Sequence, residues 1–183
     1  MRAPDVDAPD WGFDDTPFVR TWDLVMIVDR PVDPCDPDAA GADIDAVELF
    51  RDGVLVGWAQ FVEAVEVPDE PPCGATASDG VPDDLLGPSD GAFEAGSFEG
   101  AYSLRGATVY LLMSEPMENG DTLVVHELDP ADEAEEDCIQ VYLGYVTEDG
   151  DMAFMDNAYS GWGPDMNPSN GCETLTFKVD GLW

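Results

Sequence analysis

The stretch Ala46–Val62, AVELFRDGVLVGWAQFV, decides how this chain folds. Two apolar runs, Ala46–Arg51 and Val54–Val62, flank Asp52-Gly53. Asp-Gly is favoured where two successive residues must take a positive φ, the turn that joins adjacent antiparallel strands. A hairpin is expected here, and the same pattern recurs outward from it. Asp-Gly also stands at 79–80, 90–91, 149–150 and 180–181, and Asn-Gly at 119–120 and 170–171. Between these turns lie further strand candidates: Val19–Val28, Ala107–Ser114, Asp121–Leu128 and Ile139–Thr147, with Met152–Tyr159 a weaker one. ATVYLLMS at 107–114 is nearly all apolar and reads as a central strand. Glu173–Val179 alternates, with Leu175, Phe177 and Val179 inward and Thr174, Thr176 and Lys178 outward, the mark of a sheet with one wet face. Short strands with frequent turns predict an all-β fold, an antiparallel β-sandwich.

Other segments read differently. Asp129-Pro130 and the acidic run to Asp137 fit a helix of two turns, with negative charge over its start. Residues 39–50 fit helix or strand. Residues 68–100, rich in Pro, Gly and Asp, predict a long ordered loop with room for one short strand. The expected division is an extended N-terminal arm, 1–18, and a single sandwich domain, 19–183. The arm carries Trp11, Phe13 and Phe18, more aromatic character than a linker needs, so it is expected to pack on its own domain or on a neighbouring subunit.

Charge narrows the partners. The 183 residues include 41 Asp plus Glu against 6 Lys plus Arg, a formal charge of −35. Nucleic-acid binding needs a basic face and is excluded; an anionic membrane surface is disfavoured. With 44% hydrophobic residues the chain is not a disordered acidic tail. On a folded surface of roughly 8,600 Å², the carboxylates would stand roughly 14 Å apart, one to two screening lengths at about 0.1 M salt. A saline habitat or bound Ca²⁺ would relieve that repulsion.

Cysteines suggest the compartment. Cys35, Cys73, Cys138 and Cys172 form no CxxC pair, and the chain has 1 histidine, which disfavours zinc. An even number in an acidic, turn-rich chain suits two disulfides in an oxidising compartment, secreted or at the cell surface. Of three possible pairings, Cys35–Cys73 and Cys138–Cys172 each close a moderate loop beside predicted strands. No apolar h-region follows Met1 and no run of 18 apolar residues occurs, so export would imply a leader already removed or an added Met1.

Several segments occur in a telling order: Asp43-Ile44-Asp45-Ala46-Val47-Glu48-Leu49, Leu86-Gly87-Pro88-Ser89-Asp90-Gly91, Tyr102-Ser103-Leu104-Arg105-Gly106, Asn119-Gly120-Asp121-Thr122-Leu123 through Glu127, and Phe177-Lys178-Val179-Asp180-Gly181-Leu182. This order resembles secreted discoidin-like or galactose-binding-like jelly-roll domains, over about residues 43–182. In those domains the segments read DIDAVEL, ALGxPDG, SLGGGG, NGDxIxVYE and VxGL. Arg105-Gly106 replaces a longer glycine run, and His126 stands where an aromatic is usual. The resemblance implies a jelly-roll sandwich and an exported, non-catalytic domain.

Candidate sites were weighed against plainer roles. Asp36, Asp38, Gly41, Asp43, Asp45 and Glu48 partly match a calcium loop. Ala40 breaks the fifth position, and Glu48 falls one residue late. The alternative is an acidic, solvated turn. Asp83, Asp84 and Asp90 around Leu86-Gly87-Pro88 would suit a structural Ca²⁺ or ordinary turn chemistry. Tyr159 and Trp162, among Asp and Asn, fit a carbohydrate-stacking site, inward packing or a subunit contact. His126 reads as a structural or surface residue. GxSxG, phosphate-loop and HExxH motifs are missing, so an enzyme is not expected. Carboxylate pairs for glycoside hydrolysis remain open in so acidic a chain. The expected function is a secreted structural subunit of a surface, matrix or filament, self-associating or binding other surface proteins under salt or calcium control. The alternative is a calcium-dependent glycan-binding module.

Overall fold

A computed structural model describes residues 20–30, 42–67, 82–89, 101–127, 138–156, 159–160 and 175–182, with Arg30, Cys138, Tyr159 and Ser160 described by backbone alone. Among them lie ten strands: β1 (Trp22–Arg30), β2 (Asp43–Arg51), β3 (Val54–Glu66), β4 (Tyr102–Ser103), β5 (Thr108–Met113), β6 (Thr122–Glu127), β7 (Cys138–Val146), β8 (Met152–Phe154), β9 (Tyr159–Ser160) and β10 (Leu175–Lys178). The described part of the 68–100 loop is a 3-10 helix at Pro82–Leu85 and the turn after it.

The hairpin at Asp52-Gly53 forms as expected, with both residues at positive φ, 52° and 79°. β2 begins earlier than the apolar run suggested, at Asp43, and resolves the ambiguity of residues 39–50 in favour of strand from that point. β3 runs on past Val62 to Glu66. ATVYLLMS supplies β5, flanked by β3 and β1 and therefore central. Tyr110 and Leu112 face away from the core while Val109, Leu111 and Met113 face it, so its continuous apolar character serves two faces.

All pairings are antiparallel, in the order β10-β6-β2-β3-β5-β1-β7-β8, with β4 beside β2 and β9 beside β7. β3 makes this one curled sheet rather than two. Its Val54–Trp58 portion pairs with β2, and its Ala59–Glu66 portion pairs with β5. Gly57 sits at the crossing, where a Cβ would meet Glu115 Cβ at 3.0 Å and Ser114 Oγ at 3.1 Å. Two bulges follow, between Ala59 and Phe61 and between Val62 and Ala64. Bulges bend and twist a strand, which is how one strand turns the corner between layers. We call the β3-β5-β1-β7 half sheet I and the β10-β6-β2-β3 half sheet II. Their inner faces close one core: Val25, Ile27, Val109, Leu111 and Leu143 from sheet I against Ile44, Val47, Leu49, Leu123 and Val125 from sheet II. The architecture is consistent with a β-sandwich.

The base of sheet II is clamped by charge. Arg51 donates from Nε and Nη2 to the two oxygens of Asp121, both at 2.9 Å, and from Nη2 to Pro116 O at 3.1 Å. Its Nη1 lies 3.1 Å from Glu118 Oε1. Asp121 is buried and also accepts the Glu118 N–H at 2.8 Å. The Asn119-Gly120 turn then holds the chain end. Asn119 exchanges two 2.9 Å hydrogen bonds with the Leu182 backbone, and Gly120 N–H donates to Val179 O. Two of the recurring turn motifs thus fix the ends of β2, β6 and β10 together.

Arg51→Met leaves the Asp121 carboxylate buried without its cation. A loss of about 2–3 kcal/mol is expected, since hydrogen bonds to charged groups and desolvation of the stranded carboxylate both count; urea unfolding at neutral pH measures it. The guanidinium holds the Asp121 carboxyl below its ordinary value. Its contribution is therefore complete above the unfolded value of about 3.9 and lost as pH falls through the lower folded value. The gap between wild type and Arg51→Met should narrow on acidification through that range; a gap independent of pH would contradict the clamp.

Candidate functional site

Two features stand out on the outer faces of the curled sheet. The first is a roofed polar cluster on sheet II. β2 is buried along Asp43–Leu49, including three acidic residues, Asp43, Asp45 and Glu48. A bulge between Ile44 and Ala46, opposite β6, turns Asp45 outward beside Ala46 and Glu48. Ser89, just beyond the 3-10 helix, ties down over them. Its N–H donates to Glu48 Oε1 at 3.0 Å, and its hydroxyl donates to Asp45 Oδ2. From β6, His126 brings Nε2 to 2.8 Å from Glu48 Oε2.

Serine, histidine and glutamate are thus close together, but their bonding is not that of a nucleophilic triad. The Ser89 hydroxyl points to Asp45, and the imidazole engages Glu48. A triad needs the imidazole on the serine oxygen to take its proton. What the arrangement does is satisfy two buried carboxylates and tether a loop to a sheet. His126, read from sequence as a structural or surface residue, is partly exposed and engages Glu48. Ser89 was not singled out by sequence reasoning. The only signal for it was its place in Gly87-Pro88-Ser89-Asp90-Gly91, where a short polar side chain follows a turn.

The second feature is the outer face of sheet I, which is apolar where a wet face is the norm. Across the strands, Phe61, Leu112 and Leu24 lie in one register row, and Leu24 continues to Gly144 and Phe154. The next row holds Ala64, Tyr110, Met26 and Tyr142. The Phe154 ring lies on Gly144, where a Cβ would fall 2.5 Å from it, and its centroid is 5.8 Å from that of Tyr110. Leu24 is buried although it faces away from the main core. The row ends open at Phe61, 54% exposed; Trp58, paired with Glu48 of β2 at the corner of β3, is 36% exposed. At the head of β1, Arg20 lies over the Tyr145 ring at 4.2 Å, and Trp22 meets Tyr145 edge-on.

Of the residues weighed for calcium, Asp43, Asp45 and Glu48 lie within β2 rather than in a loop, and Asp84 is in the 3-10 helix. Asp36, Asp38 and Asp90 lie outside the described residues, as do Trp162, Cys35, Cys73, Cys172, Trp11, Phe13 and Phe18. Cys138 opens β7 and Tyr159 opens β9. Among the described residues no group of three or more His, Cys, Asp and Glu converges to hold a metal ion, and no helix is long and apolar enough to cross a membrane.

No protein family, curated protein or solved structure matches this chain. Its chemistry must be read from its own residues.

Two predictions test these faces. Ser89→Ala removes the donor to a buried carboxylate and should lower stability by about 1–2 kcal/mol in urea unfolding; no change would mean the loop is held elsewhere. The second concerns Asp23, in the bulge of β1, whose buried Oδ1 makes no hydrogen bond. Burial pushes its carboxyl up. The folded form keeps its proton to higher pH than the unfolded chain, so its penalty is absent well below about pH 3.9 and grows as pH rises through the folded value. Asp23→Asn should therefore be more stable than wild type at neutral pH, with the advantage vanishing near pH 3; an equal or lower midpoint at neutral pH would refute this.

Proposed function

We propose that this protein is a secreted, non-enzymatic structural subunit, of a surface, matrix or filament, built on a jelly-roll form of the sandwich and working by association under the control of salt or calcium. The observation that carries the reading is the exposure of two large aromatic side chains on β3, Phe61 at the end of the sheet I row and Trp58 at the strand's corner, on a chain of formal charge −35. A polyanion gains solubility from its charge and has no need of an aromatic-ended sheet face. Large aromatic side chains left in water close together mark a contact site. The four cysteines support an oxidising destination, where two disulfides would brace the loops.

Charge and apolar surface oppose each other. At about 0.1 M salt the screening length is about 10 Å, and two approaching copies repel. Near molar salt it falls to about 3 Å, and the apolar contact is left to act. Divalent cations would reach the same end at lower concentration by binding carboxylates directly. The test is light-scattering mass across this salt range, with and without CaCl₂. A mass near 19.7 kDa in dilute buffer and a multiple of it near molar NaCl, or with calcium, are expected. A single-chain mass under every condition would contradict the proposal.

A further inference from the structure

β3 leaves part of its backbone open. β2 accompanies it only to Trp58, and beyond that point β5 pairs with one side alone. Along Gln60–Glu66 no strand among the described residues pairs with the other side. The last bond there is Gly87 N–H to Ala59 O at 3.0 Å, at the head of this edge. An open strand edge is a template for another strand, and proteins blunt such edges with bulges and charge. Here both devices are present, in the two bulges and in Glu63 and Glu66. Charge is a conditional guard, because salt removes it. The edge also adjoins the apolar rows, and Phe61 on it is 54% exposed.

We infer that this edge receives residues 10–16 of a second copy's N-terminal arm as an added strand. Asp10-Trp11-Gly12-Phe13-Asp14-Asp15-Thr16 is bracketed by Pro9 and Pro17 and is the longest proline-free run in the arm. Proline cannot donate to a ladder, so the brackets set the length of any strand there. That length is the length of Gln60–Glu66. In an extended strand, Trp11 and Phe13 share a face by the period of two, and docking would add one ring to the Phe61 row and the other to a row beside it. Asp10, Asp14 and Asp15 approach Glu63 and Glu66 in the same step, so the addition needs screening. Donor and acceptor are different surfaces, so the contact is heterologous and propagates into rings or filaments. The inference rests on the associating role proposed above and names its contact.

The experiment uses full-length chains in about molar NaCl, where repulsion is screened. The donor variant is Trp11→Ser with Phe13→Ser, the acceptor variant is Phe61→Glu, and Val54→Glu is a control with the same charge change on the exposed hairpin tip. Thermal melts confirm that each is folded. The donor and acceptor variants should each show the mass of one chain, the control should assemble as wild type does, and an equimolar mixture of donor and acceptor variants should recover a species of two chains. Complementation of this kind requires the arm of one molecule to meet the edge of another. If wild type assembles but either single variant assembles equally well, or the mixture stays monomeric, the inference fails while the associating role stands. If wild type never assembles, both fail.

Discussion

One strand belongs to both layers of this molecule, and that constraint organises the rest. Val54–Glu66 is hydrogen-bonded to β2 in its first part and to β5 in its second. The change of partner forces the local chemistry. A glycine stands where a side chain would strike Ser114 and Glu115, and two bulges bend the strand away from its first sheet. The bend brings Leu49 and Val47 opposite Leu111 and Val109 in a single apolar core. It also means that, among the described residues, each half of β3 pairs on one side only, so a strand central to the fold is at the same time an edge.

The outer faces show two ways of treating buried or half-buried surface. Sheet II covers its outward carboxylates with a loop whose serine and neighbouring histidine satisfy them, as buried charge requires. Sheet I leaves an apolar surface closed at one end by Phe154 and open at the other by Phe61. Charge repulsion over the whole molecule and apolar attraction at one face have different ranges. The first reaches across a screening length and the second acts only at contact, so in the proposed association ionic strength would decide between them.

Much of the fold was legible in the sequence. The Asp52-Gly53 hairpin, the central position of β5 and the alternation of Leu175 to Val179 followed from turn chemistry and the period of two. The early start of β2 was not, because Asp43 and Asp45 are poor strand residues by composition, and Asp45 is accommodated there by a hydrogen bond from the distant Ser89. The doubling of β3 was hidden for a similar reason. A continuous run such as Val54–Val67 shows that a strand exists, but not that its hydrogen-bonding partner changes midway. The apolar outer face was hidden too, since Leu24, Tyr110, Leu112 and Phe154 come from separate segments and meet only through register. Of the polar cluster on sheet II, Asp45, Glu48 and His126 were singled out from sequence and Ser89 was not.

The most direct test of this account is amide hydrogen exchange along β3, in dilute buffer and in the assembled state. The amides of Gln60–Glu66 turned toward β5 should be protected in both, and those turned away should exchange freely in dilute buffer and become protected on assembly. Uniform protection of Gln60–Glu66 in the single chain, or outward amides that stay unprotected after assembly, would contradict it.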